Sequence, residues 1–136
     1  MRHRRPNRVF GSVHDEFWRR CEERALWMQQ CAECQLVQWP PVEVECEGCA
    51  STALAWIQLS GRGQVMSWCT FERSYYDQLP VPWDTIVVEL EEGPVFVSNP
   101  FGFAVSDAAV GMPVRVTFIE CGDDGGDYLL PVFEQG

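Results

Sequence analysis

The sequence contains no lysine, only two histidines, and no apolar run that approaches the ~20 residues needed to span a bilayer. No apolar stretch follows the arginines near the N-terminus, so the pattern of a secretory signal is also lacking. These absences argue against a membrane-spanning or exported protein and favour a cytoplasmic one. Disorder is not indicated either, because 46% of the 136 residues are hydrophobic and 22% are charged, as in globular domains.

Positive charge is scarce outside the N-terminal tip. All ten basic residues are arginines, and they face 20 Asp and Glu, which gives a formal net charge of −10. Four of the arginines lie within the first eight residues, where a mobile tail is the favoured interpretation and a small docking arm the alternative. The remaining body is strongly acidic and repels a phosphate backbone, which argues against general nucleic-acid binding.

The seven cysteines include two close pairs, Cys31 with Cys34 and Cys46 with Cys49. Two such pairs predict a rubredoxin-like zinc ribbon, because a tight knuckle turns both sulfurs of a pair onto one metal ion. Gly48 is expected to supply the backbone freedom that this turn needs. Four thiolates leave no open position for water, so the zinc is predicted to be structural, with iron as the minor alternative.

The other cysteines do not form an evident catalytic set. Cys21 falls in a predicted helix, Cys69 in a predicted strand, and Cys121 precedes a Gly/Asp loop. Both histidines, His3 and His14, lie in the N-terminal segment, far in sequence from Cys69 and Cys121. A Cys–His or Ser–His nucleophilic site is therefore not expected, and the chain is predicted not to be an enzyme.

A short helix is predicted after Asp15, which can cap a segment that runs from Phe17 to Ala25. The side chains of Phe17, Trp18, Cys21 and Ala25 fall on one side of this helix. Such an apolar face must be buried, either against the same chain or against a partner subunit. Both alternatives remain open from the sequence.

Three regions follow from the patterns: an N-terminal tail and helix (1–25), the zinc ribbon (26–60) and a β domain (61–136). Segments 26–30, 36–39, 42–45 and 53–59 are predicted to lead into and out of the two knuckles. Beyond Gly61, alternating apolar residues predict five strands and one short helical turn, which is typical of an OB-fold barrel. The predicted strands are 63–72, 85–91, 94–98, 114–118 and 128–133, with the helical turn at 106–110. The first of them, apolar on both faces, is expected to be central, and the fold class is mainly β.

The order of several short motifs resembles a known family. A helix with Phe17-Trp18 precedes the four-cysteine ribbon, which is followed by Ser-Gly-Arg-Gly-Gln-Val-Met-Ser-Trp (60–68), Val-Val-Glu-Leu (87–90) with Glu92-Gly93, and Gly-Met-Pro-Val-Arg-Val (111–116). This order is similar to that of the zinc-ribbon/OB-fold acyl-CoA-associated proteins, designated domain of unknown function thirty-five. The resemblance extends from about residue 15 to residue 133.

The resemblance implies an N-terminal helix, a zinc ribbon and a five-stranded OB barrel. It also implies a non-catalytic accessory subunit that binds and stabilises a thiolase-superfamily enzyme, which holds the catalytic residues. Such enzymes perform thiolysis, condensation or retro-aldol cleavage of acyl-CoA side chains, for example in steroid degradation. A two-plus-two hetero-oligomer is expected, in which the small subunit helps to position the CoA ester. A nucleic-acid-binding ribbon/OB module is the alternative function, and a rubredoxin-like electron carrier is a weaker one.

Five residues are candidate contacts to CoA or to the partner. Arg62, in the turn between ribbon and barrel, is positioned either to meet a phosphate or to be a solvated hairpin charge. Phe101 and Phe103 flank a glycine in a loop, where they serve either as an interface or as a plug for one end of the barrel. Phe17 and Trp18 are candidates through the helix face described above.

Overall fold

The computed structural model describes residues 3–136, which fold into one α-helix, a 3₁₀ helix and nine strands. No helix in this part of the chain is long and apolar enough to cross a membrane. The elements are β1 His3–Arg4, α1 Ser12–Cys21, β2 Trp27–Cys31, β3 Val37–Gln38, β4 Leu54–Gln58, β5 Arg62–Phe71, β6 Trp83–Leu90, β7 Val95–Ser98, the 3₁₀ helix Val105–Asp107, β8 Pro113–Asp123 and β9 Gly126–Gln135.

The zinc-ribbon region forms a small antiparallel sheet in the order β3-β2-β4. The strand predicted at 42–45 is not formed. Instead, the side-chain amide of Gln29 replaces a strand ladder: its Nε2 donates to the carbonyl of Val42 (3.0 Å), and its Oε1 accepts from the N–H of Val42 (2.7 Å). One buried glutamine therefore satisfies the backbone of a segment that has no neighbouring strand.

The five strands β5 to β9 form the predicted OB-type barrel. Their hydrogen-bonded order is β8-β5-β6-β7, with β9 paired antiparallel to β8 along its whole length. The sheet closes on itself where Pro100 bridges Phe133, and the N–H of Phe101 donates to the carbonyl of Phe133 at 2.8 Å. The fold class expected from the sequence is confirmed.

The outer half of β5 differs from its prediction. β8 pairs with β5 only from Arg62 to Gln64, and a β-bulge follows between Val65 and Ser67. Residues 66–71 continue beyond the barrel, paired with β6 alone, and are exposed on both faces. The strand therefore has a neighbour on both sides only at its start, because β5 extends beyond its pairing with β8.

Helix α1 packs on its own chain, which decides between the two alternatives left by the sequence. It begins at Ser12, three residues before the predicted cap, and ends at Cys21. Phe17 is 2% exposed, and its ring centroid lies 4.5 Å from that of Trp39 in the ribbon. Trp39 in turn lies 5.0 Å from Phe96 in the barrel, so one apolar core joins helix, ribbon and barrel.

The N-terminal segment is docked, which corrects the prediction of a mobile tail for the described residues 3–10. β1 runs parallel to β8, with His3 opposite Cys121, and the N–H of Arg5 donates to the carbonyl of Gly122 at 2.9 Å. Arg8 is bound to Asp123 at the end of β8. The alternative, a small docking arm, describes the contacts better, although the arm docks on its own barrel. The rest of the Arg-rich tip, Met1 and Arg2, lies outside the described residues.

Candidate functional site

The four paired cysteines converge at one end of the ribbon. Their sulfur atoms all lie within 4.8 Å of one another, with 3.5 Å between Cys31 and Cys49 and 3.6 Å between Cys34 and Cys46. A tetrahedron with metal–sulfur bonds of ~2.3 Å has edges of about 3.8 Å. The donor set therefore fits one tetrahedral metal ion with four thiolate ligands.

The two knuckles have the same backbone design. The N–H of Gln35 donates to the carbonyl of Cys31 (2.9 Å), as the N–H of Ala50 does to that of Cys46 (2.9 Å). Gln35 and Ala50 follow the second cysteine of each pair and have left-handed φ angles of 68° and 62°. The left-handed residue is therefore outside each Cys-x-x-Cys unit.

The sequence predicted that Gly48 supplies the backbone freedom that the knuckle needs, but the left-handed residues are Gln35 and Ala50. The φ of Gly48 is not among the positive ones, and its role is spatial: a Cβ at this position would lie 3.2 Å from Cδ2 of Leu36 and 3.7 Å from the sulfurs of Cys34 and Cys46. The glycine keeps the space beside the metal site free for the first knuckle.

In each knuckle a backbone N–H group points at the sulfur of the first cysteine. The N–H of Cys34 points at the sulfur of Cys31 (3.5 Å), and this contact lowers the pKa of Cys31 to about 6 against the opposing effect of burial. In the second knuckle the N–H of Gly48 donates to the sulfur of Cys46 at 3.3 Å. Deprotonated sulfur is the form that binds a metal, and the fold favours it at Cys31. Burial and contacts with the neighbouring sulfurs raise the pKa of Cys34 and Cys49, so a bound metal must displace their protons.

The other thiols are separate from this centre. Cys21 and Cys121 are buried, and burial raises the pKa of Cys21 to about 12 and also raises that of Cys121. Such thiols are unreactive at neutral pH. Cys69 is exposed on the outer half of β5. Within residues 3–136, no hydrogen bond joins a histidine side chain to a cysteine or a serine.

Arg62 lies in a cleft of about 640 Å³ whose lining also includes Glu89, Glu91 and Arg115. Its guanidinium is paired with the Glu91 carboxylate at 3.0 Å. Hydrogen bonds from the Ser60 hydroxyl and from Arg62 lower the pKa of Glu91. Because the guanidinium already binds a carboxylate, the contacts of Arg62 fit a solvated charge in a hairpin better than a contact to phosphate.

Phe101 and Phe103 are brought together in a second cleft of about 420 Å³. Phe101 is exposed, whereas Phe103 packs partly against the core. The same cleft is lined by Arg4 and Arg5 of the N-terminal segment and by Trp83 at the start of β6. Sequence reasoning missed this grouping, since Arg5 and Asn99 of the loop, whose side chains form a hydrogen bond of 3.4 Å, are 94 positions apart.

A third feature is an exposed surface that we call the aromatic arm, residues 66–83: the outer half of β5, the connecting loop and the start of β6. Residues 66–77 are all exposed. The arm presents the large apolar side chains Met66, Trp68, Phe71, Tyr75, Tyr76 and Val81 to solvent. Part of it forms a shallow depression around Phe71, Tyr75 and Leu79. The signal in the sequence was the apolar character of both faces of β5, which also fits a buried strand.

Comparisons with known proteins agree with this architecture. Residues 18–55 match the family model described as the ChsH2 rubredoxin-like zinc ribbon domain, and residues 56–118 match the ChsH2 C-terminal OB-fold domain. A DUF35 domain-containing scaffold protein of Methanocaldococcus jannaschii is 30% identical over 116 residues, which cover 83% of this chain and 82% of the relative. The chain belongs to the DUF35 family. The family expected from the sequence is thereby confirmed.

Two further relatives of this DUF35 protein are subunits of larger size. A probable enoyl-CoA hydratase alpha subunit of Thermomonospora curvata is 31% identical over 86% of the chain. The 3-oxo-4,17-pregnadiene-20-carboxyl-CoA hydratase alpha subunit of Mycobacterium tuberculosis is 32% identical over 79%. The DUF35 chain spans only 36% and 34% of the length of these two relatives.

Solved structures show the same fold. A chain of the Ltp2-ChsH2(DUF35) aldolase superposes with a TM-score of 0.81 at 28% identity, covering 95% of this DUF35 protein and 98% of that chain. A DUF35 protein of unknown function from Sulfolobus solfataricus superposes with a TM-score of 0.59 at 13% identity, covering 80% and 78%. The second likeness concerns the fold alone.

Proposed function

We propose that this protein is a non-catalytic accessory subunit that binds and stabilises a thiolase-like acyl-CoA enzyme in the cytoplasm. In this assembly the partner carries the catalytic residues for thiolysis or retro-aldol cleavage, for example of a steroid side chain. The accessory chain contributes a docking surface and helps to position the CoA ester. Two copies of each subunit form the complex, because thiolase-fold enzymes are typically dimers.

The aromatic arm is the observation that carries this proposal. On the side of β5 that faces away from β6, no strand among residues 3–136 pairs with the backbone from Met66 to Phe71, since β8 leaves β5 at Gln64. Unpaired N–H and C=O groups on a sheet edge favour the addition of a partner strand. Exposed rings beside such an edge are typical of interface hot spots.

The names of the relatives support the same assignment. One relative is named a scaffold protein, two are named alpha subunits of CoA-ester hydratases, and the similar solved structure is named as an Ltp2-ChsH2(DUF35) aldolase. Each of these names belongs to a scaffold, a subunit or a two-component enzyme. The helix residue Phe17 has no part in the proposed interface, because its ring is buried in the core of its own chain.

The metal has a structural role in this proposal. Four thiolates would fill the coordination sphere of a zinc ion, which leaves no position for a substrate or an activated water. The ribbon also contributes Met28 and Leu26 to the common core. Zinc therefore supports the docking of helix α1 and the ribbon on the barrel.

The nucleic-acid alternative has less support. Trp68 and Phe71 present rings on which a base could stack, but Arg73 is the only basic residue of the aromatic arm. The net charge of −10 opposes a phosphate backbone. Binding of single strands by OB folds combines stacking with a basic groove, and this second element is not found on the arm.

Co-expression with a thiolase-like acyl-CoA enzyme from the same organism tests the proposal. Size-exclusion chromatography with light scattering should show co-elution with the mass of a two-plus-two complex. The double variant Trp68→Ser with Tyr75→Ser should weaken the complex by at least ~2 kcal/mol, because two anchors are removed. Val110→Ser is the matched control, since Val110 is exposed but lies outside the arm.

Three results would contradict the proposal. A wild-type protein that elutes alone would exclude a stable complex. Equal effects of the arm variant and the Val110→Ser control would remove the arm from the interface. Turnover of an acyl-CoA substrate by the isolated chain, abolished by a point substitution in this chain, would show that it is catalytic.

A further inference from the structure

Two buried glutamines lie side by side in the ribbon sheet. Gln29 on β2 and Gln38 on β3 are opposite each other in the antiparallel pair and are 5% and 4% exposed. Opposed residues of such a pair project from the same face, and residues two apart on one strand share a face. The candidate ligand Cys31, two residues after Gln29, therefore lies on the face that carries both amides.

Both amides bind the backbone of the segment that leads from β3 into the second knuckle. Gln29 holds the start of this segment through its two hydrogen bonds to Val42. The Oε1 atom of Gln38 accepts a hydrogen bond from the backbone N–H of Glu47 at 3.1 Å. Glu47 directly follows the candidate ligand Cys46, inside the second Cys-x-x-Cys unit. The two glutamines therefore fix both ends of a segment that forms no strand.

The internal hydrogen bonds of the second knuckle shape it but do not place it on the ribbon. The N–H of Cys46 donates to the carbonyl of Ser51 (2.8 Å), and the N–H of Ala50 donates to the carbonyl of Cys46 (2.9 Å). The bond to Gln38 instead comes from β3, which pairs with β2, and β2 ends at Cys31. This bond therefore connects the second pair of cysteines to the strands that carry the first pair.

The other half of the Gln38 amide shows that this side chain has a cost. Its Nε2 atom is buried and has no hydrogen-bond acceptor among residues 3–136. A methionine of similar size at this position would bury no unsatisfied donor. The oxygen of the amide offsets this cost, because it satisfies the N–H of Glu47 beside the metal site.

We propose that Gln38 is a positioning residue of the zinc site. Its amide oxygen holds the second knuckle so that Cys46 and Cys49 meet the metal ion on the side opposite the first pair. Gln29 supports this arrangement by fixing the preceding segment at Val42. Groups that orient metal ligands without touching the metal typically contribute about 10–100-fold to metal affinity. This role belongs to the isolated chain and is independent of the proposed partner.

The variant Gln38→Met tests the proposal in the full chain, because it removes the acceptor and keeps an unbranched side chain of similar length. Its zinc affinity, measured by competition with a chromophoric chelator, should fall at least about tenfold. Cobalt(II) bound in place of zinc reports the coordination geometry through its visible absorption. The intensity of the tetrahedral bands should decrease in Gln38→Met, because the second pair of thiolates is held less firmly.

Alkylation by iodoacetamide, read out by fragment mass spectrometry, separates positioning from a general loss of ribbon stability. In zinc-loaded Gln38→Met, the alkylation rates of Cys46 and Cys49 should rise at least about fivefold more than those of Cys31 and Cys34. A ribbon that is merely destabilised opens as one unit, so all four rates would rise by the same factor.

Two further substitutions complete the experiment. Gln58→Met is the matched control: Gln58 is an exposed glutamine at the end of β4 in the same sheet, and its loss should change zinc affinity by less than about twofold. Gln38→Asn keeps a buried amide but is one methylene shorter, so it tests the placement of the oxygen alone. Its zinc affinity should fall at least about threefold, with the same selective alkylation.

Several outcomes would overturn the inference. Wild-type zinc affinity and cobalt spectra in Gln38→Met would show that the amide does not position the site. Equal losses in Gln38→Met and Gln58→Met, or uniform alkylation of the four cysteines, would assign the effect to general stability. If Gln38→Met does not fold, Gln38→Asn decides the question, and zinc binding as tight as that of the wild type would contradict the proposal.

Discussion

The guanidinium of Arg8 donates two hydrogen bonds to the carboxylate of Asp123, from Nε to Oδ2 (2.8 Å) and from Nη2 to Oδ1 (3.2 Å). The backbone N–H of Arg8 donates a third, to Oδ2 at 3.1 Å. The guanidinium also lies 4.0 Å from the ring centroid of Tyr128. This ion pair, with the Asp123 side chain fully buried, fastens the N-terminal segment to the end of β8.

We expect Asp123→Ala to destabilise the protein by about 3 kcal/mol, because it leaves the Arg8 cation largely buried without a counter-charge. The midpoint and slope of urea unfolding measure the change. Asp124→Ala is the matched control: Asp124 makes only exposed contacts, and its loss should cost under ~1 kcal/mol. Equal effects of the two substitutions would show that the ion pair does not hold the segment.

The same pair predicts a dependence on pH. The hydrogen bonds and charge of Arg8 hold the pKa of Asp123 below its ordinary value of 3.8. A depressed pKa in the folded state stabilises the protein fully above the unfolded value, and this contribution is lost as the pH falls through the folded value. The difference in unfolding free energy between wild type and Asp123→Asn should therefore be constant above about pH 5 and shrink below about pH 4. A difference that does not shrink in acid would contradict the assignment.

The docked N-terminus also shows what the sequence could not reveal. The two cysteine pairs and the alternating strands of the barrel are local patterns, so their elements could be predicted within a few residues. The partner of Arg8 is 115 positions away, and no local periodicity reports such a contact. The same holds for the cleft lined by Arg5 and Phe101, which lie far apart in the sequence.

Other differences have a local physical reason. Composition cannot tell the exposed outer half of β5 from a buried strand, because both are apolar on two faces. The segment 42–45 looked like a strand, but a glutamine side chain supplies the hydrogen bonds that a neighbouring strand would provide. The sequence predicted that Gly48 supplies the backbone freedom of the knuckle, whereas Gln35 and Ala50 adopt the left-handed conformation.

The four-sulfur site predicts one zinc per chain. Cys31→Ser should lose the metal and unfold the ribbon, because β2 ends at this ligand and structural zinc supplies on the order of 10 kcal/mol in small modules. Elemental analysis and circular dichroism measure the two effects. Cys69→Ser is the control, since this exposed thiol lies outside the site and its loss should leave one zinc bound. Bound iron, or full zinc content in Cys31→Ser, would contradict the prediction.

Trp18 provides the last prediction, because the sequence left it as a candidate partner contact. Its ring packs edge-on against Phe17 (5.1 Å between centroids) and Tyr128 (5.2 Å) of its own chain. Trp18→Ala should therefore lower the free energy of unfolding by about 2 kcal/mol or more, as expected for a half-buried aromatic ring. At temperatures well below its melting point, the variant should still bind the thiolase-like partner as tightly as wild type. The arm variant Trp68→Ser with Tyr75→Ser should behave in the opposite way, with near-normal stability and weakened binding. Chemical unfolding and light scattering of both proteins measure the contrast. A Trp18→Ala protein that has wild-type stability but fails to bind would contradict the prediction and indicate that Trp18 contacts the partner.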